Sequence, residues 1–135
     1  TLARPRRQRQ MCIRDRLGGP ADFLDNYEAY LPKANVIRPV YADGIVRAVD
    51  ARAVGNAIIE LGGGRRRVGE ALNLAVGFSN IAAVGTDLDA NTPLAVVHAA
   101  SEGDAAAAES NLLAAVSLDE EAPPDRPVIC EILTG

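Results

Sequence analysis

The sequence predicts an α+β fold with a small, mostly antiparallel sheet and two main helices. Residues 50–61 and 101–118 have the apolar periodicity of helices, and the other segments are short apolar runs bounded by Gly, Pro, Asn and Asp. Of the 135 residues, 48% are hydrophobic, which suffices for one modest core. The apolar runs are all shorter than the roughly 18 residues that suggest a membrane-spanning helix.

Charge divides the chain into two parts of opposite sign. Residues 1–16 contain six Arg and one Asp, whereas the remaining residues contain eight basic and seventeen acidic groups. We interpret residues 1–16 as a non-native, disordered basic tail, because MCIRDR looks like a translated sequencing adapter. A basic arm for nucleic acid or for a membrane surface is the alternative. The acidic body argues against it, so neither partner is expected.

The first part of the body contains a predicted short helix and a predicted hairpin. Leu17 to Leu31 place apolar residues on one helical face, and Pro32 would end that helix. The Asp43-Gly44 pair between two apolar runs is a strong hairpin signal. Pro39 in the first run favours an edge position or a bulge for that strand.

The most strongly defined element is a helix that starts after Asp50. The Asp50 carboxylate is a good N-cap, since it can accept hydrogen bonds from the free N–H groups of the first turn. Gly62 stands where a helix needs a residue in the left-handed region, so we expect the helix to end there. Its apolar face consists of Val54, Ala57, Ile58 and Leu61.

Two interpretations compete for the segment GGGRRR that follows this helix. In the first, glycine N–H groups and arginine guanidinium groups cradle a phosphate. In the second, the glycines cap the helix and the arginines complement the negative end of its macrodipole. The second is favoured, because phosphate loops precede a helix, whereas these glycines follow one without a subsequent Lys-Ser/Thr pair.

The C-terminal half alternates short strands with the second helix. Residues 72–76 alternate like a short strand, and a longer apolar strand follows the bend at residues 91–93. Ser101 and Asp104 fit a capping box for a helix that ends near Leu118. Residues 120–127 form a turn-rich connector, and residues 128–133 have the pattern of a final strand.

Few side chains suggest catalytic, metal or cofactor chemistry. Cys12 and Cys130 are far apart and lack metal-ligand spacing, which indicates a reduced, cytoplasmic protein. For His98, the sole histidine, a packed and hydrogen-bonded strand position is favoured over a general base. Residues 84–100 are similar to half of a biotinyl or lipoyl carrier domain. Lys33, the only lysine, lies outside that motif, so a carrier function is not expected.

Several motifs in a fixed order resemble a known family. VYADGIVRAVDARAVGNAIIELGGGRRR, LAVGF and VGTDLDANTPLAVVHA resemble the C-terminal domain of thymidine phosphorylase, in the pyrimidine-nucleoside phosphorylase family. LGGPADFLDNYEAYLP resembles the segment that joins the main domain of that family to the C-terminal one. At Glu70 and Asn73 the sequence departs from the Asp found in many bacterial members.

The resemblance implies an α/β-hammerhead domain at residues 33–135, preceded at residues 17–32 by a helical remnant of the linker. Enzymes of this family transfer the sugar of a pyrimidine deoxynucleoside to inorganic phosphate, and they bind both mainly through a larger domain that this sequence lacks. We therefore expect no catalytic, cofactor-binding or metal-binding residue in the chain. The resemblance also implies a cytoplasmic, homodimeric parent enzyme, paired through the missing N-terminal domain. The segment it implicates in closing the cleft comprises Gly62, Gly63, Gly64, Arg65 and Arg66, with Arg67 next to them.

The leading hypothesis is therefore a C-terminal fragment of a thymidine phosphorylase, inactive by itself. A free-standing hammerhead module for binding or carrying a ligand is the alternative from a different class. A nucleic-acid binder with a basic tail is a third hypothesis, which the acidic body disfavours.

Overall fold

A computed structural model describes residues 16–23 and 25–124 of the chain. The chain separates into two compact units, Thr1–Lys33 and Ala34–Gly135. The predicted disordered tail, apart from Arg16, lies outside the described residues, and so does the predicted strand at 128–133.

The first unit does not contain the helix predicted from Leu17 to Leu31. Arg16 and Leu17 are helical, and the other described residues of this unit form turns, irregular segments and one short 3-10 helix, Tyr27–Ala29. Gly18 adopts a φ of +73°, and the Tyr30 hydroxyl donates a 2.6 Å hydrogen bond to Asp22 Oδ1. The prediction was wrong because local side-chain hydrogen bonds and a left-handed glycine compete with regular helix in so short a segment.

The second unit confirms the α+β class, but its strands form two small antiparallel sheets instead of one. The first sheet has the order β1-β5-β3 and the second has the order β4-β2-β6. Both helices lie between strands in sequence. The elements are β1 (Val36–Val40), β2 (Gly44–Val49), α1 (Ala51–Glu60), β3 (Gly77–Ser79), β4 (Asp87–Leu88), β5 (Ala95–Ala99), α2 (Glu102–Ala114) and β6 (Val116–Asp119).

The predicted hairpin at Asp43-Gly44 does not form, because β1 and β2 belong to different sheets. The chain does turn there, and Gly44 has a φ of +113°. However, β1 pairs along its full length with β5, and β2 pairs with β4 and β6. The sequence signal located the turn, but distant segments supplied the pairing partners. The edge position predicted from Pro39 is confirmed, since β1 is the outer strand of its sheet.

Two other element boundaries differ from those predicted. The strand expected at residues 72–76 does not form, and the next strand, β3, begins at Gly77 and pairs with β5. Helix α2 ends at Ala114 and not near Leu118, because the chain passes directly into β6, which pairs with β2. The Asp50 N–H group also donates to the carbonyl of Ala115, at 2.8 Å. In both cases pairing with a distant strand overrides the local apolar pattern.

Helix α2 is the central element of the core. It contacts both sheets, through β1, β5 and β6, and it also contacts α1. Its buried face consists mainly of alanines, whose small side chains allow a close approach to the strands. A half-buried ion pair between Arg38 of β1 and Glu109 of α2, 2.6 Å long, links the first sheet to this helix. The core side chains with no exposed surface include Val40, Val46, Leu94, Val97, Ala105 and Leu112.

Two aspartates keep their ionised form through hydrogen bonds. Asp89 Oδ1 accepts from the Asn91 N–H group at 2.8 Å, and this bond is the main reason that the pKa of Asp89 is lowered. The pKa of Asp119 is lowered mainly by the N–H group of Glu120, with a further contribution from the hydrogen-bonded Arg47 guanidinium. Both groups therefore favour the folded state most when they are ionised.

We predict that Leu112→Ala destabilises the protein by about 2–5 kcal/mol, because the fully buried side chain would leave a cavity that its neighbours only partly fill. Its neighbour Leu113 is 39% exposed and supplies a matched control, for which Leu113→Ala should cost less than about 1 kcal/mol. Urea denaturation of both variants measures the difference. Equal costs would contradict the assignment of Leu112 to the core.

We predict that Asp89→Asn reduces the loss of stability, measured as the free energy of unfolding, when the pH is lowered. The folded-state pKa of Asp89 lies below the unfolded value of about 3.9, so its contribution is complete above that value and is lost as the pH falls through the folded-state pKa. Urea midpoints measured downwards from about pH 5 should fall less in the variant than in the wild-type protein. If the urea midpoints of the two proteins fall equally with pH, the Asp89 carboxylate does not contribute to the pH dependence of stability.

Candidate functional site

The glycine–arginine loop, which we define as residues 62–73, begins at the C-terminus of α1. Gly62 has a φ of +90°, which confirms the predicted helix end. The N–H groups of Gly62 and Gly63 donate to the carbonyls of Ile59 and Ile58, both at 3.0 Å. These two bonds form a Schellman motif, in which a left-handed residue satisfies the last carbonyls of a helix. The capping role favoured from the sequence is therefore confirmed for the start of the loop.

Gly63 and Gly64 also lie too close to neighbouring atoms to carry a Cβ atom without a shift. A Cβ atom at Gly63 would lie 2.9 Å from Ile58 Cγ2 and 3.3 Å from the carbonyl oxygen of Val76. A Cβ atom at Gly64 would lie 2.5 Å from Ile59 Cγ1. The first turn of the loop therefore packs directly against α1 and against the segment before β3, and a Cβ atom at either glycine would force its neighbours to shift.

The base of the loop is closed by a hydrogen bond between its ends. The N–H group of Asn73 donates to the carbonyl of Gly62, at 2.9 Å. The Asn73 side chain extends this turn, since its Oδ1 accepts from the N–H group of Ala75 at 3.0 Å. A loop whose ends are joined in this way has the character of an Ω-loop, a compact surface loop that often carries function.

The tip of the loop presents three arginines to solvent. Arg65, Arg66 and Arg67 are exposed, and within residues 16–23 and 25–124 no carboxylate forms an ion pair with their side chains. Val68 beside them is fully exposed. Among the described residues the three guanidinium groups therefore form a local positive charge without an acidic partner, which suits an oxyanion.

Glu70 already occupies the backbone donors of this tip. Its Oε2 atom accepts hydrogen bonds from the N–H groups of Arg66 at 2.7 Å and of Arg67 at 3.2 Å. An internal carboxylate thus fills the position that a phosphate would need if these two amides formed a cradle. In this conformation only the arginine side chains, and not these two amides, are available to an external anion.

Glu70 and Asn73 are positions at which Asp is expected in many bacterial members of the family that the sequence resembles. Both form hydrogen bonds within the loop, Glu70 with the backbone at its tip and Asn73 with Gly62 at its base. Neither role could be assigned from the sequence, because each depends on how the chain folds back after the arginines.

His98 is a hydrogen-bonded strand residue, as predicted. Its Nε2 atom lies 2.7 Å from Ser79 Oγ, a contact that the pairing of β3 with β5 creates. Sequence reasoning missed Ser79, since the two residues are 19 positions apart. A serine beside a histidine is the start of a nucleophile–base pair, which also needs a group that orients the imidazole. None of the carboxylates described by the structure contacts His98, so the pair lacks that third member.

Other features of the described residues add little chemistry. No group of three or more His, Cys, Asp or Glu side chains within this part of the chain could hold a metal ion. An open groove of about 600 Å³ runs beside Pro123 and Pro124. Among the described residues that line it, Arg47 is the only charged one, and it is already paired with Asp119 at 2.6 Å. Among the helices of the described residues, none is long and apolar enough to span a bilayer.

Comparison with known protein families supports an assignment of the second unit. Residues 45–119 match the family model for the pyrimidine nucleoside phosphorylase C-terminal domain. The matched segment runs from β2 to the end of β6, so it includes both helices and the whole glycine–arginine loop. It covers more than half of the 135 residues and confirms the resemblance found in the sequence.

We predict that Gly63→Ala destabilises the protein by about 1–3 kcal/mol, because the added methyl group would overpack the contact with α1. Gly55→Ala is the matched control, since Gly55 lies inside α1 with open space around its Cα. That variant should stabilise the protein by about 0.8–1 kcal/mol through helix propensity. Thermal or urea unfolding of both variants tests the pair. A neutral Gly63→Ala would mean that the loop does not pack against the helix in solution.

Proposed function

The chain belongs to the pyrimidine nucleoside phosphorylase family, and on this premise we propose that it is the C-terminal part of a thymidine phosphorylase. Such an enzyme transfers the 2-deoxyribosyl group of thymidine to inorganic phosphate and releases thymine and 2-deoxyribose 1-phosphate. The observation that carries the proposal is the family match across residues 45–119. We further propose a cytoplasmic, homodimeric parent enzyme, with inorganic phosphate as co-substrate and no metal or organic cofactor.

Within this enzyme, the role we propose for the glycine–arginine loop is closure of the active-site cleft. Its closed base, its packing against α1 and its exposed arginines support this role, since a lid must be anchored at one side and free at the other. Arginine is suited to such a task, because its planar guanidinium group can bind phosphate oxygens in pairs. The residues concerned are Gly62, Gly63, Gly64, Arg65 and Arg66.

The main catalytic groups belong, in this proposal, to the domain that precedes this chain. Phosphorolysis needs phosphate held in line behind the sugar while the departing pyrimidine is stabilised, and accurate positioning supplies much of the rate. Ser79 and His98 could exchange a proton, but no described hydrogen bond or ion pair joins them to the arginines. The arginines at the tip supply positive charge, but they do not by themselves fix the relative positions of phosphate and nucleoside.

A free-standing hammerhead module remains the alternative proposal. The bend that precedes β5 is held by Asp89, which accepts from the N–H groups of Asn91 and Thr92. A carrier domain would need a lysine at such a bend to bear its cofactor, and the sequence has none there. No observation therefore favours the carrier function over the enzyme fragment.

We predict that the purified 135-residue chain releases no thymine from thymidine and phosphate above a protein-free control, because the positioning groups for both substrates lie elsewhere. In contrast, the product of the continuous upstream reading frame should catalyse the reaction. Parallel assays with uridine would give the ratio of kcat/KM values and hence the preferred base.

The outcome that contradicts this prediction is activity of the chain alone. Thymine release that survives repurification and disappears in Arg65→Ala would make the loop an active site in its own right. Conversely, an upstream frame whose product cleaves neither thymidine nor uridine would refute the assignment of the reaction.

A further inference from the structure

We propose that Glu70 is the positioning residue of the glycine–arginine loop. Its carboxylate holds the backbone of Arg66 and Arg67 in one conformation, so that the loop closes as a preformed unit. The inference rests on the proposed closing function, which it deepens by naming the group that organises the arginines.

The geometry of the tip carries the inference. One carboxylate oxygen, Glu70 Oε2, accepts from two successive N–H groups, at 2.7 Å from Arg66 and 3.2 Å from Arg67. The N–H group of Glu70 in turn donates a 3.3 Å hydrogen bond to the carbonyl of Arg67. Hydrogen bonds to an ionised acceptor are stronger than those between neutral groups. The turn is therefore closed on itself without help from the core.

Within the part of the chain that the structure describes, Val68 and Gly69 add no packing contact at the tip. Val68 is fully exposed, and a Cβ atom placed on Gly69 would meet no atom within 4 Å. Gly69 also has a φ of +88°, a conformation that glycine adopts readily but does not enforce. Since neither side chains nor steric constraints hold the tip, the Glu70 carboxylate is the feature that selects its conformation.

The base of the loop is independent of Glu70. The bond from the Asn73 N–H group to the Gly62 carbonyl and the close packing of Gly63 and Gly64 on α1 hold the base by themselves. Removal of the carboxylate should therefore loosen the tip and leave the anchor unchanged. A loose tip must be ordered during closure, and that entropic cost would oppose formation of the closed state.

Amide hydrogen exchange of the 135-residue chain tests the first part of the proposal. In Glu70→Ala, exchange at the amides of Arg66 and Arg67 should accelerate about tenfold, the scale of one lost charged hydrogen bond. Exchange at the Asn73 amide and the Tm should not change. Glu120→Ala is the control, because it removes an equal charge from an exposed position outside the loop. Unchanged exchange at both arginine amides would overturn the proposal.

Kinetics of the intact enzyme test the second part. Glu70→Ala should lower kcat about tenfold with little change in the KM for thymidine, since the lost order matters only in the closed state. Glu70→Asp, which keeps the carboxylate, should restore part of the activity. A purely structural role would lower the Tm and would not separate kcat from KM. Faster amide exchange with an unchanged kcat would overturn the proposal.

A phosphate titration separates positioning from occupation of an anion site. In Glu70→Ala, inorganic phosphate could change the NMR chemical shifts of the Arg66 and Arg67 amides in a saturable way. If it does and kcat is unchanged, the carboxylate merely fills an anion site, and the positioning role is refuted. If the intact enzyme does not act on pyrimidine nucleosides at all, the proposed function fails. Amide exchange in the 135-residue chain then decides alone whether Glu70 organises the loop.

Discussion

The burial of α2 against two sheets is the contact on which the rest of the second unit depends. This helix meets β1 and β5 of one sheet, β6 of the other, and α1. Each sheet alone has three short strands and could not bury an apolar face by itself. The alanine-rich face of α2 lets both approach closely, and fully buried residues such as Leu112 fill the space between them.

The position of the glycine–arginine loop follows from this packing. Helix α1 is tied to α2 by the hydrogen bond between Glu60 and Asn111, 2.7 Å long, and by the buried Ala57 and Leu61. The bond from Asp50 to Ala115 joins the start of α1 to the end of α2. The loop begins directly after the buried Leu61, so its anchor belongs to a helix that packs against α2. A rigid anchor beside an exposed tip is the arrangement that a closing loop requires.

In the loop, one acidic side chain accepts hydrogen bonds from the backbone, and three basic side chains face solvent. The Glu70 carboxylate satisfies amides that no secondary structure pairs, whereas the arginine side chains keep their hydrogen-bonding capacity. The two interpretations of GGGRRR are therefore less exclusive than they seemed from the sequence. The glycines cap and pack on α1, while the arginines keep the potential to bind an anion.

The sequence by itself determined the features that depend on neighbours along the chain. Asp50 caps α1 by accepting from the N–H groups of Arg52 and Ala53, and Ser101 caps α2 by accepting from that of Asp104. Gly62 ends α1 in the left-handed region. These signals lie within one helical turn of the groups they bind, so residue type and spacing suffice to find them. The family resemblance was equally readable, because it rests on the order of motifs.

Only the tertiary structure decided the features that join distant segments. It placed β1 and β2 in different sheets, ended α2 at Ala114 and brought Ser79 to His98. It also showed that Gly63 and Gly64 are needed for contact with α1. Strand pairing and close packing depend on which surfaces meet after the chain has folded, and a local pattern of residues carries no information about its distant partner.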